Sequence, residues 1–66
     1  MARLQKGERD ERRRQIFQVL QRCQWGIRES EIAQELGLRR RTVNNYLREL
    51  QRVHKAEKDG WLWYAR

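Results

Sequence analysis

The 66-residue sequence predicts a mainly α domain in which three helices precede a small β-hairpin. Three observations predict it. Apolar residues recur at three- and four-residue spacing in three separate stretches. Proline is absent, so glycine does the punctuation between them. The last stretch switches to an aromatic-rich pattern beside an Asp59-Gly60 turn signal. Apolar and charged residues each make up 38% of the chain, enough for one compact core and too aliphatic for a disordered tail. The length holds one domain near the lower limit for independent folding. Residues 1–7 read as an N-terminal tail and 8–66 as the domain.

The first helix is expected from about Glu8 to Gln24, with Gly7 as its N-cap. Glu8, Asp10 and Glu11 place negative charge in its first turn, where the helix dipole favours it, and Glu8–Arg12 and Asp10–Arg14 form i,i+4 pairs. Ile16, Val19, Leu20 and Cys23 form its apolar stripe, widened by Phe17, and Gly26 supplies a left-handed stop. Trp25-Gly26-Ile27 reads as a very short strand. The second helix spans about Glu29 to Leu36, with Ile32, Ala33 and Leu36 inward and Gly37 as its C-terminal cap. Val43, Tyr46, Leu47 and Leu50 then define a third helix from about Arg40 to Arg52. A connection of about three residues forces these two helices to cross steeply. Val53 to Glu57 reads as a strand, Lys58-Asp59-Gly60 as the turn, and Trp61-Leu62-Trp63-Tyr64 as the returning strand.

The formal charge of +7 points to a polyanionic partner, nucleic acid being the commonest. It is uneven: two basic blocks, residues 1–24 and 37–52, flank an acidic one at 25–36. Thirteen of the sixteen basic residues are arginines, which suit forked contacts to phosphate and guanine, although genomic base composition also favours arginine. No apolar run approaches the ~18 residues of a membrane span, and the first residues lack the apolar stretch of a signal peptide. A cytoplasmic protein with no membrane partner is expected. One cysteine and one histidine exclude an internal disulfide and a four-ligand zinc site of ordinary type, so no metal or other cofactor is expected. No Ser-His-Asp set, phosphate-binding glycine loop or buried acid pair points to an enzyme.

From Ser30 to Val43 the sequence resembles the helix-turn-helix core of bacterial and archaeal winged-helix regulators. It is similar to the N-terminal domains of DeoR-type and WYL-type transcription factors. Ile32-Ala33, Leu36-Gly37 and Thr42-Val43 followed by Leu47 and Leu50 carry the resemblance, which covers about residues 12 to 64. It implies a three-helix winged helix-turn-helix that binds double-stranded DNA, with the third helix in the major groove and the hairpin wing on the backbone. Ala33 then lets the two helices approach, Leu38 plugs the angle between them, and Gly37 supplies the left-handed turn. Replacing Gly37 or Ala33 is expected to unfold the domain.

The chain departs from this family at two caps, where Arg28 and Arg39 stand in place of serine or threonine and cannot accept a helix N–H. Arg39, Arg40 and Arg41 also crowd the positive end of a helix dipole. Either an external phosphate completes that end, or the arginines extend into water over a looser cap.

With Val43, Leu47 and Leu50 facing the core, the 100° helical step puts Arg41, Asn45, Arg48 and Arg52 in one outer stripe, flanked by Thr42 and Asn44. Arginine reads guanine and asparagine reads adenine. Arg40, Arg41, Asn44 and Asn45 are the candidates for base edges, and Arg48 and Arg52 for phosphates. Two adjacent asparagines in mid-helix are poor helix formers, unlike the residues of a merely solvated face. Lys55 and Lys58 lie on the wing, where the resemblance implies backbone contact, though edge lysines also discourage aggregation. Arg12, Arg13 and Arg14 form a further basic run that can reach a flanking phosphate. Trp61 and Trp63 share one strand face, and Leu62 and Tyr64 the other. One pair closes the core; an exposed pair points to a homodimer contact or to stacking on single-stranded nucleic acid or RNA. The main expectation is a sequence-specific, dimeric transcriptional regulator, and the competing ones are RNA or single-strand binding and a protein-interaction winged helix.

Overall fold

The computed structural model describes residues 6–66, apart from the side chains of Lys6 and Glu8. Its elements run α1 (Lys6–Arg22), β1 (Ile27–Arg28), α2 (Glu29–Leu36), α3 (Arg40–Arg52), β2 (Ala56–Asp59) and β3 (Leu62–Ala65). This is the mainly α, three-helix winged helix-turn-helix architecture with a small sheet that the sequence predicts. The bounds of α2 and α3 match the expected ones. The three strands form one antiparallel sheet in the order β1-β3-β2, so the hairpin docks its second strand onto the short strand before α2. Ile27 pairs with Trp63, and Arg28 with Leu62.

Every element contributes to a single core. Ile16, Val19 and Leu20 come from α1, Ile32 and Ala33 from α2, and Val43, Tyr46, Leu47 and Leu50 from α3. Ile27, Ala56 and Trp63 close it from the sheet. Phe17, Cys23, Leu36 and Leu38 pack on its edge, half-buried. Trp63, at 2% exposure, is the largest side chain in this interior.

The structure corrects the expected start and end of the first helix. Lys6, the first described residue, is already helical, so Gly7 lies within the helix instead of capping it. It ends at Arg22, and the Cys23 carbonyl then accepts the Gly26 N–H at 2.9 Å in a tight turn. Gly26, at φ +94°, therefore shapes the entry into β1 and does not cap α1. Trp25 falls in that turn and outside the strand. The i,i+4 pair Asp10–Arg14 is replaced by the i,i+3 pairs Asp10–Arg13 (2.7 Å) and Glu11–Arg14 (3.9 Å). The Glu8–Arg12 pair lies outside the described residues.

The α2–α3 connection is Gly37-Leu38-Arg39. Gly37 is left-handed (φ 66°, ψ 31°), and both its N–H and that of Leu38 donate to the Ala33 carbonyl, closing the end of α2. A Cβ on Gly37 would meet nothing within 4 Å. Substitution there costs only the left-handed backbone penalty of roughly 1–2 kcal/mol, less than the unfolding expected from the sequence.

Helix α3 ends in the same way with no glycine. The Lys55 N–H donates to the Leu50 carbonyl at 2.8 Å, and His54 takes the left-handed position at φ 62°. This cap occupies residues 53–55, so the strand expected over Val53 to Glu57 starts at Ala56. Replacing His54 by Gly relieves the strain at an exposed site, and a gain of about 0.5–1 kcal/mol in urea unfolding is expected; unchanged or lower stability would refute this account of the cap.

Asp59 pairs with Leu62, which leaves Gly60-Trp61 as a two-residue hairpin turn. Trp61 is thus in the turn at 80% exposure while Trp63 is buried, and the expected shared face of these two tryptophans does not form.

Candidate nucleic-acid interface

Burial of Val43, Tyr46, Leu47 and Leu50 turns the opposite side of α3 outward, since successive side chains step around the axis by about 100°. Arg39, Arg40, Arg41, Asn45, Arg48 and Arg52 are exposed, and Thr42 and Asn44 are half-buried. Lys55 and Lys58 are exposed on the approach to the hairpin and on β2. Asn44, Arg48, Gln51 and Arg52 from α3, with Lys58 from β2 and Trp63 from β3, line a groove of about 400 Å³. The Lys58 ammonium lies 5.6 Å from the centre of the Trp63 ring, in cation–π range.

The carboxylates decide where positive charge is left over. Glu49, the one acid of α3, turns toward α1 and accepts from Arg9 at 2.5 Å and Arg13 at 3.1 Å. Glu35 pairs with Arg22, and Glu57 lies 3.9 Å from Arg66. Pairs this exposed contribute on the order of 0–1 kcal/mol each to stability. Their consequence here is the distribution of charge. Among the described residues, Arg28, Arg39, Arg41, Arg48, Arg52, Lys55 and Lys58 have no acidic side chain within 4 Å. These seven cations lie on α3, its flanks, the N-cap of α2 and the hairpin. In the run Arg12-Arg13-Arg14, by contrast, Arg13 and Arg14 are ion-paired within the chain.

Arg28 and Arg39 do occupy the N-caps of α2 and α3, and neither caps through its side chain. At α2 the Glu31 carboxylate accepts the Arg28 N–H at 3.1 Å, supplying the reciprocal half of a capping box. The first turn of α3 contains no acid of its own. Glu29 serves it from the start of α2, accepting from the Arg40 Nε at 3.2 Å and the Asn44 amide at 2.5 Å. The arginine cluster is thus relieved in part by a carboxylate from a neighbouring helix. The same contact engages the Asn44 amide nitrogen, while Asn45 remains exposed.

Sequence reasoning missed two residues beside this surface, Gln51 and Arg28, and misplaced a third, Trp61. Gln51 lies seven residues after Asn44, two helical turns along the same face, a signal already present in the helical step. Arg28 drew attention only as a failed cap. Trp61 reads from the sequence as the first residue of the returning strand, sharing a face with Trp63, and only the register of the hairpin places it in the turn. Comparison of the chain with protein-family models, with curated proteins and with solved structures gives no match.

Proposed function

We propose that this chain is the DNA-binding module of a cytoplasmic transcriptional regulator, related to the winged domains of DeoR-type and WYL-type factors. It lays α3 in the major groove of a duplex and rests its hairpin on the backbone, acting as a homodimer on two half-sites. One observation carries the reading: among the described residues, cations with no acidic side chain within 4 Å gather on α3 and the elements beside it, while Glu49, the one acid of α3, is turned toward Arg9 and Arg13 on α1. A face of unmatched guanidinium groups with an exposed carboxamide suits phosphates and base edges together. No helix among the described residues is long and apolar enough to cross a membrane.

Arg41 and Asn45 lie in the amino-terminal half of α3 and serve as the base readers, with Arg48 and Arg52 on phosphates. Stacking on single strands is less favoured, because burial of Trp63 leaves the hairpin one exposed indole instead of two.

Selection from a random duplex pool, followed by two substitutions, tests this reading. Asn45→Ala is expected to relax preference at one base position by about 1–3 kcal/mol. Arg48→Ala is expected to weaken all duplexes about equally. Two variants that bind like the parent, or a pool that yields no enriched duplex, would exclude this surface as the reader.

A further inference from the structure

A second concavity, of about 410 Å³, opens between the hairpin tip and the amino ends of α2 and α3. Three cations from three different elements line it: Arg28 from the N-cap of α2, Arg40 from the first turn of α3, and Lys58 from β2. Trp61 forms one wall, and its 80% exposure sets it apart from the buried Trp63. The carboxylate in this cleft, Glu29, already accepts from Arg40 and Asn44. Arg28 and Lys58 keep their charge unmatched among the described residues. A two-residue hairpin turn makes no structural demand for a large apolar side chain at its second position. An indole held in water beside such cations is a surface suited to an amphipathic, anionic ligand.

We propose that this cleft clamps one nucleotide of the DNA backbone beside the α3 contact. Arg28, Arg40 and Lys58 take the phosphate, and the Trp61 ring lies against the adjoining deoxyribose. The proposal rests on the duplex-binding reading and assigns it a defined backbone site at the hairpin tip. A phosphate supplies the anion, and the sugar supplies an apolar face of a size to meet the indole. A protein partner with an acidic segment would satisfy the cations and give the indole no sugar to cover.

The test uses the whole chain and a labelled duplex of mixed sequence at low salt. In a Trp25→Phe background, the exposed indole emission belongs to Trp61, because Trp63 is buried. Duplex is expected to quench that emission in step with the anisotropy change. Trp61→Ala is expected to weaken binding about fivefold or more, with Trp61→Phe retaining most of the affinity. The salt slope should stay unchanged in both, whereas Arg28→Gln should reduce it by about 0.9. Trp61 is exposed in a turn, so circular dichroism and thermal unfolding of these variants should match the parent. Tight duplex binding with no quenching, and a Trp61→Ala variant of parental affinity, would overturn the clamp while leaving the duplex reading intact. Absence of duplex binding by the parent would overturn both.

Discussion

Duplex affinity is expected to fall by about two to three decades between roughly 50 and 200 mM salt. The estimate follows from the charge distribution. If about five of the unmatched cations on α3 and its flanks each neutralise a phosphate, counterion release gives a log–log slope of about −4.5 on B-form DNA. A fourfold rise in salt then costs about 2.7 decades. Reversing Arg48 and Arg52 to Glu should remove about two phosphates' worth of that slope. The control is the pair Arg14→Glu and Arg66→Glu, which changes net charge equally at cations already beside Glu11 and Glu57. If only total charge mattered, the two double variants would behave alike; a difference confined to the α3 pair locates the interface. Fluorescence anisotropy across a salt series measures both. Salt-insensitive binding, or an α3 reversal that leaves partner binding intact, would instead favour the protein-interaction reading.

Gly26→Ala is expected to destabilise the domain by roughly 2–4 kcal/mol, combining a left-handed backbone penalty with overpacking. The backbone there sits at φ +94°. An added Cβ would come 2.8 Å from Tyr64 Cζ, 2.9 Å from its Cε2 and 3.0 Å from Leu62 Cβ. The ring can swing away only by giving up its half-buried packing, and the Leu62 Cβ is tied directly to the β3 backbone. A domain of this size has on the order of 3–10 kcal/mol in total, so the loss takes a large share. Thermal unfolding should drop by more than about 10 °C. Tyr64→Ala in the same background should recover the Tyr64 share of the steric part and neither the Leu62 share nor the backbone part, which separates the ring contact from the rest in a double-mutant cycle. The comparison with Gly37 is informative, because the space there is open and only the conformational cost remains. Equal losses at the two glycines would refute the close-approach account.

The two central helices were legible in the chain because their signals are local. Ile32-Ala33 and Val43-Tyr46-Leu47-Leu50 repeat at helical spacing, and Gly37 marks the break between them. The outer stripe of α3 was legible for the same reason: once its inner residues are known, geometry assigns the rest. The hairpin was legible as an element but not in its register. His54 and Lys55 are absorbed into the left-handed end of α3, a conformation that a histidine does not advertise. That shift starts β2 at Ala56, sends Trp61 into the turn and Trp63 into the core.

The amino-acid sequence by itself determined the order of elements, the inward residues of each helix and the cationic outer face of α3. These follow from periodicity and turn chemistry within a dozen residues. Only the tertiary structure decided which cations keep their charge unmatched. Arg13 meets Glu49 across 36 residues and Arg40 meets Glu29 across 11. It likewise decided that Gly26 lies under Tyr64 and that Arg28, Arg40 and Lys58 converge beside Trp61. Such pairings depend on how separate elements dock, and side chains far apart in the chain carry no local mark of the partner that folding brings to them.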